Sequence, residues 1–226
     1  INFAVLETAR GGILRSGLGF GACDIAIVTN VAADHLGLKG INTVEDLAKV
    51  KAILPESVKP SGYAILNADD DLVYDMRKNT QCNLAYFSMD ENNPRIKAHC
   101  KKGGLAAVYE EGYVTIMKGD WKIRVEKAVN IPLTFRGKAL FNVANTLPTI
   151  LASFIQGFKI EDIRIALQTF IPSPAQTPGR MNMFRFNDFD LMLDYAHNPA
   201  GFNAIGKFLD NVEATEKVGV IAETRT

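Results

Sequence analysis

Several residues in this sequence have the types and spacing to do chemistry, and most of them sit where an apolar run stops. Glu7 closes one such run and is followed by Thr8-Ala9-Arg10-Gly11-Gly12. Open α/β sheets bind ligands beyond the carboxyl ends of their strands, so a carboxylate there is placed for a metal ion or a substrate amine. The plainer reading is that Glu7 caps the short helix that follows or pairs with Arg10. Asp34-His35 comes after a second run ending Val28-Thr29-Asn30, in a loop with Gly37 and Gly40. Neighbouring parallel strands end on one edge of a sheet, so this pair is expected to converge on Glu7, and the set suits a hard metal or a phosphate.

Lys51 is the next candidate. On a helical wheel at about 100° per residue, Val44, Leu47, Val50 and Leu54 form an apolar arc and Lys51 falls inside it. An isolated buried ammonium is costly, so this lysine must snorkel, pair with a carboxylate or serve a site. Asn142 and Asn145 share a face of a stretch with helical period, bordered by Phe141. Carboxamides donate and accept, which suits the edge of a purine, although asparagines near a helix start are also common caps. The last group is Gly179-Arg180 with Asp194-Tyr195-Ala196-His197-Asn198-Pro199. Asn198 as N-cap with Pro199 at the first helical position puts Asp194 and His197 beside a helix N-terminus, where backbone N–H groups and the dipole favour phosphate.

These residues need elements to hold them. In the first third, short apolar runs alternate with helix-length segments, the pattern of βα units and a mostly parallel sheet flanked by helices. Residues 3–6, 25–29 and 63–66 read as strands. A helix is expected over 43–54, with Thr43 as its cap and Asp46 in its first turn. From 84 to 125 short β runs are broken by Gly103-Gly104, Glu111-Gly112 and Gly119-Asp120, which predicts an appended antiparallel β patch. Helices follow over 138–156 and 160–169. The stretch 171–179 holds Pro172, Pro174 and Pro178 and reads as an interdomain linker and hinge. Beyond it, strands over 183–186 and 191–194, a helix from Pro199 and a strand over 218–222 predict the start of a second, Rossmann-like α/β domain. The expected division is 1–176 and 177–226.

Composition bounds the function. The 226 residues leave room for one large domain or two modest ones. With 47% hydrophobic and 22% charged residues the chain is not a disordered protein, a collagen or a coiled coil. Lys+Arg and Asp+Glu both total 25, so no basic surplus points to nucleic acid. No apolar run approaches the ~18 residues of a membrane span, which predicts a soluble protein with no membrane contact. Cys23, Cys82 and Cys100, an odd number without close pairing, match neither a disulfide framework nor a zinc site, and the expected location is cytoplasmic.

Taken in order, strand-Glu7, Asn30 with Asp34-His35, Lys51, Asn67-Ala68-Asp69-Asp70, Asn142 with Asn145, Gly179-Arg180 and the Asp194 to Pro199 string resemble the Mur ligase superfamily of ATP-dependent amide-forming ligases. Glu7-Thr8-Ala9-Arg10-Gly11-Gly12 and Asp34-His35-Leu36-Gly37 look like its cyanophycin-building branch, which attaches arginine to a poly-aspartate backbone. The resemblance covers nearly the whole chain, most loosely around 90–127. It implies that ATP phosphorylates a substrate carboxylate and that an amine attacks the acyl phosphate. By similarity Glu7 and His35 would hold Mg²⁺, and Lys51 matches a lysine that is carbamylated in several relatives. Asn142 and Asn145 match an adenine-contacting pair, with Phe141 where many relatives have histidine. Arg180 and Asp194 would reach the phosphates and ribose, and His197 would lie near the transferred phosphate. The implied partners are ATP, arginine and cyanophycin or a poly-aspartate primer; oligomeric state is left open. Alternative readings are another Mur-type amino-acid ligase and a non-catalytic nucleotide-binding or assembly module.

One departure is large. The superfamily's Gly-rich phosphate loop, ending Gly-Lys-Thr, is found nowhere in these 226 residues. The resemblance places it upstream of Glu7, so the sequence reads as a piece of a longer chain, inactive by itself and continuing beyond both ends.

Overall fold

A computed structural model describes residues 2–33, 36–37 and 39–221. Its centre is a six-stranded sheet whose strands lie side by side in chain order: β1 (Cys23–Val28), β2 (Val58–Asn67), β3 (Asn83–Ser88), β4 (Leu105–Glu110), β5 (Tyr113–Lys118) and β6 (Trp121–Lys127). The first four are parallel and the last two antiparallel. This is the mostly parallel, helix-flanked sheet expected, with the antiparallel part confined to β5 and β6.

Side chains alternate between the two faces, as the strand period requires. Val28, Ala64, Leu66, Tyr86, Ala106 and Val108 face α1 (Arg10–Ser16), α2 (Val44–Glu56), α3 (Asp71–Asp75) and α4 (Pro94–Lys101). Ile65, Ala85, Phe87, Ala107 and Ile116 face α5 (Leu140–Ile155) and α6 (Ile160–Thr169). On α5, Val143, Leu147, Ile150 and Leu151 are all fully covered, each burial contributing roughly 1.5–3 kcal/mol.

Local chemistry sets the ends of these elements. Thr43 and Asp46 close a reciprocal capping box on α2, with Thr43 Oγ1 accepting from the Asp46 N–H at 3.1 Å, a cap of about 1 kcal/mol. β2 starts earlier than its apolar run because the chain bulges against β1: Cys23 pairs with Val58, but Ile25 already pairs with Tyr63. The bulge brings Gly62 so close to β1 that a Cβ there would stand 2.3 Å from the Asp24 carbonyl oxygen, an approach that only glycine allows. Behind β6, Glu126 accepts from Asn130 Nδ2 at 2.7 Å and from Gln168, and Arg164 Nε donates to the Val125 carbonyl at 2.7 Å. These bonds pin α6 before the chain enters 171–179.

The remaining chain forms a separate hairpin, β7 (Asn182–Arg185) with β8 (Asp190–Leu193), followed by α7 (Pro199–Asp210). It is joined to the first unit by a small apolar cluster in which Met181 and Phe208 pack with Ala139, Phe135 and Phe141. Phe135 is aimed at Phe208, ring centroids 5.4 Å apart, by a run of three left-handed residues, Phe135, Arg136 and Gly137.

Several expectations are corrected. Residues 3–6 are not a strand: among the described residues β1 pairs only with β2, and the apolar run lies outside any ladder, with Val5 98% exposed. Residues 218–221 are likewise outside any strand and exposed, and 222 lies outside the described residues. Inside the stretch expected to be all β lies α4, announced by Asn93 as its cap and Pro94 at its first turn. The three cysteines are free thiols. No helix among the described residues is long and apolar enough to cross a membrane.

One histidine reports on the core. His99 of α4 stands edge-on to Tyr86, centroids 4.6 Å apart, and its ring fills the space where a Gly104 side chain would be. Its Nε2 is buried without a hydrogen-bond partner. Burial pulls its pKa below the ordinary 6.5, although the Leu105 and Leu84 carbonyls lie near enough to oppose the shift. The folded chain therefore holds this proton less well than the unfolded chain does. Stability is complete at neutral pH and is lost as pH falls through about 6.5 toward the depressed value. A His99→Phe variant, which keeps the ring, is expected to flatten the fall in melting temperature between about pH 7 and pH 5. Parallel curves for the two proteins would show that His99 does not titrate on unfolding.

Candidate functional site

The exit of β1 is held by side chains from three different elements. Asn67, the last residue of β2, donates from Nδ2 to the Thr29 carbonyl at 2.8 Å. Lys51, half-buried on α2, donates from Nζ to the Asn30 carbonyl at 2.9 Å. Asp70, the N-cap of α3, accepts from the Val31 N–H at 2.8 Å and from the Val73 N–H at 3.0 Å. Three consecutive backbone positions at a strand end are thus each tied to a separate anchor. Asp69 does the same for the exit of β3, accepting from Ser88 Oγ at 2.6 Å, the Met89 N–H at 2.7 Å and Asn93 Nδ2 at 2.8 Å. The string Asn67-Ala68-Asp69-Asp70 carries both sets; apart from its place in the family series, the sequence had suggested no task for it.

The candidate residues on this edge are placed as follows. Lys51 points at the strand exit through its bond to the Asn30 carbonyl. Glu7 is exposed in the segment before α1, whose N-cap Ala9 makes no side-chain cap bond, so Glu7 does not cap that helix. Asp34 and His35 lie outside the described residues.

A second group gathers between α5 and the hairpin. Asn142 is half-buried and donates from Nδ2 to the Leu133 carbonyl at 2.8 Å and to Met181 Sδ at 3.7 Å. Asn145 is exposed. Asp194, half-buried at the end of β8, accepts from the Met181 N–H at 3.0 Å. Arg180 is exposed with its guanidinium 5.9 Å from the Tyr195 ring centre. His197 Nδ1 lies 3.1 Å from the Tyr195 carbonyl, which keeps a proton on Nδ1. Asn198 caps α7, accepting from the Gly201 N–H at 2.8 Å, and so sets Asp194 and His197 beside a helix N-terminus, as the sequence indicated.

Between α5 and α7 opens a cavity of about 380 Å³, walled by Met89, Phe141, Ala144 and Phe208, with Lys138 and Lys207 in its lining. Met89 immediately follows β3, so the cavity lies on the carboxyl edge of the sheet, the same edge as the β1 exit. Apolar walls with two cations suit a flat apolar body carrying an anionic group. Neither lysine was singled out in the sequence, because only the packing of α7 on α5 brings them together. A second cavity, of about 350 Å³, is lined by residues at the opposite edge, including Tyr63, Leu84 and Gly104; none of the candidate residues is in the lining of either cavity.

Among the described residues no three His, Cys, Asp or Glu side chains are gathered to hold a metal. Magnesium that arrives with a nucleotide takes only one or two protein carboxylates, the phosphates and water supplying the rest. Glu7, an exposed carboxylate, is a donor of that kind.

Residues 1–153 match the family model described as the Mur ligase middle domain. The chain is 53% identical to a cyanophycin synthetase of Geminocystis herdmanii over 98% of its own length, and spans about a quarter (25%) of that protein. Among solved structures, MurF of Acinetobacter baumannii superposes with a TM-score of 0.61 at 19% identity, covering 84% of this chain and 38% of that one. MurF ligase of Thermotoga maritima in complex with ADP gives 0.51 at 20% identity, covering 84% and 39%. At such identities these two show the shared fold.

Proposed function

Because the chain belongs to the Mur ligase family, we propose that it is part of an ATP-dependent carbon–nitrogen ligase like the cyanophycin synthetases, adding arginine to a poly-aspartate backbone. Residues 1–176 are read as the central ATP-binding domain without its phosphate loop, and 177–226 as the beginning of the C-terminal domain. The observation that carries the reading is the cavity on the carboxyl edge of the sheet, lined from both units by Lys138, Phe141, Ala144, Asn203 and Lys207; Asn142 and Asp194, both bonded to Met181, belong to the same junction of the two units. The Thermotoga maritima neighbour, which holds ADP, supports it.

The chemistry moves the γ-phosphoryl group of ATP onto an aspartate carboxylate, leaving ADP and an acyl phosphate. The arginine amine then attacks the acyl carbon, inorganic phosphate departs, and the amine gives up a proton. Asn145 and Asn142 read the adenine edge. Arg180 and Asp194 take the phosphates and ribose, with 171–179 as the hinge that lets them close. His197, protonated on Nδ1, presents Nε2 toward the transferred phosphate. Glu7 and His35 would hold Mg²⁺, which would neutralise charge on the phosphates. Lys51, by its bond to the Asn30 carbonyl, fixes the exit of β1.

The test uses the full-length protein. ADP release should require both arginine and a poly-aspartate primer, and Asn145→Ala should raise the KM for ATP roughly three- to tenfold, the worth of one or two hydrogen bonds to a neutral ring. ADP release that ignores both substrates would sink the reading.

A further inference from the structure

Met181 is held in a way that core packing does not require. It is 2% exposed, yet its backbone is left-handed, φ +48°, a conformation that costs a non-glycine residue and survives only where the surroundings enforce it. Two polar side chains do the enforcing. Asn182, itself 2% exposed, accepts from the Gly179 N–H at 2.7 Å and donates to the Thr177 carbonyl at 2.9 Å, which shapes the turn. Asp194 accepts from the Met181 N–H at 3.0 Å. So held, Met181 packs with Ala139 and meets Asn142, whose Nδ2 donates a hydrogen bond to its sulfur, a weak acceptor, at 3.7 Å. In this left-handed turn residue 181 meets Asp194 through its N–H and Asn142 through its sulfur at once.

We infer that Met181 is a positioning residue that couples Asp194 to Asn142, so that the ribose-phosphate end and the base end of the nucleotide site are set together. The inference rests on the nucleotide reading given above. Met181 touches neither end of the nucleotide itself. It acts by fixing the distance between two residues that do and that come from different units of the chain.

The experiment measures KM for ATP, kcat and melting temperature in the full-length enzyme. Met181→Leu keeps the volume and drops the sulfur acceptor; it is expected to raise KM about threefold with kcat within about twofold and little change in melting temperature. Met181→Ala should raise KM about tenfold. In the parent background the effects of Asn142→Ala and Asp194→Asn on KM should multiply to less than their product; in the Met181→Ala background they should become independent. If Met181→Ala lowers the melting temperature and leaves KM within twofold, Met181 only packs and the inference fails. Should Asn142→Ala and Asp194→Asn each leave KM at the parent value, the nucleotide reading falls and the coupling with it, a pattern distinct from the first. Independence of the two substitutions already in the parent would also overturn the coupling.

Discussion

Replacing Glu7 by Gln in the full-length protein is expected to lower ATP turnover by roughly 10²- to 10³-fold, the range seen when one preorganised electrostatic partner of a reacting group is removed. The amide keeps the shape of the carboxylate and loses the charge that would hold the cation on the phosphates. Glu7 lies exposed before α1, so the substitution should leave the melting temperature within the small range of surface changes, about ±0.5 kcal/mol in stability. That separation makes the result readable: a large loss of rate, an unchanged melt and a raised Mg²⁺ requirement. An intact Glu7→Gln enzyme running at the parent rate would mean that the carboxylate before α1 is not part of the catalytic centre.

The second large effect concerns these 226 residues alone. They contain no Gly-rich loop ending in Gly-Lys-Thr or Gly-Lys-Ser, and in phosphoryl transfer such a loop supplies the backbone cradle and the lysine for the β- and γ-phosphates. Loss of a single preorganised donor costs about 10² to 10³ in rate, and here several are missing together. The isolated chain is therefore expected to release no measurable ADP with arginine, primer and Mg²⁺ present, under conditions where the full-length protein turns over. Arginine-dependent ADP formation by the 226 residues would show that the chemistry is organised without the loop, and the assignment of this edge of the sheet would have to be redrawn.

Local signals were legible wherever the physics is local. Thr43 with Asp46, the Asn198-Pro199 pair and the apolar period over 160–169 each specify an element through neighbours within one helical turn, and each element is found where its signal stands. Residues 3–6 misled because a strand is a relation between two segments, and an apolar run says nothing about whether a partner lies alongside. The site divides the same way. That Lys51 faces inward could be read from a wheel, but its partner, the Asn30 carbonyl, is set by how β1 packs on α2. Met181 gave no signal at all: a methionine after Gly179-Arg180 reads as ordinary apolar filling, and only the turn made by Asn182 and Asp194 gives it a task.

The agreement between strand order in the sheet and strand order in the chain bears on how the protein is made. From β2 to β6, each strand can dock on the one synthesised just before it, so the sheet can grow from its first edge as the chain leaves the ribosome, with only short loops to close. The two faces fare differently. Helices α1 to α4 precede or alternate with the strands they cover, so Ala64, Leu66 and Tyr86 are sheltered as they appear. The other face, with Ile65, Ala85, Phe87 and Ile116, stays bare until α5 has been made, after all six strands. A chain stalled short of residue 155 has all six of these strands with one side wet, the state most open to aggregation and to capture by chaperones.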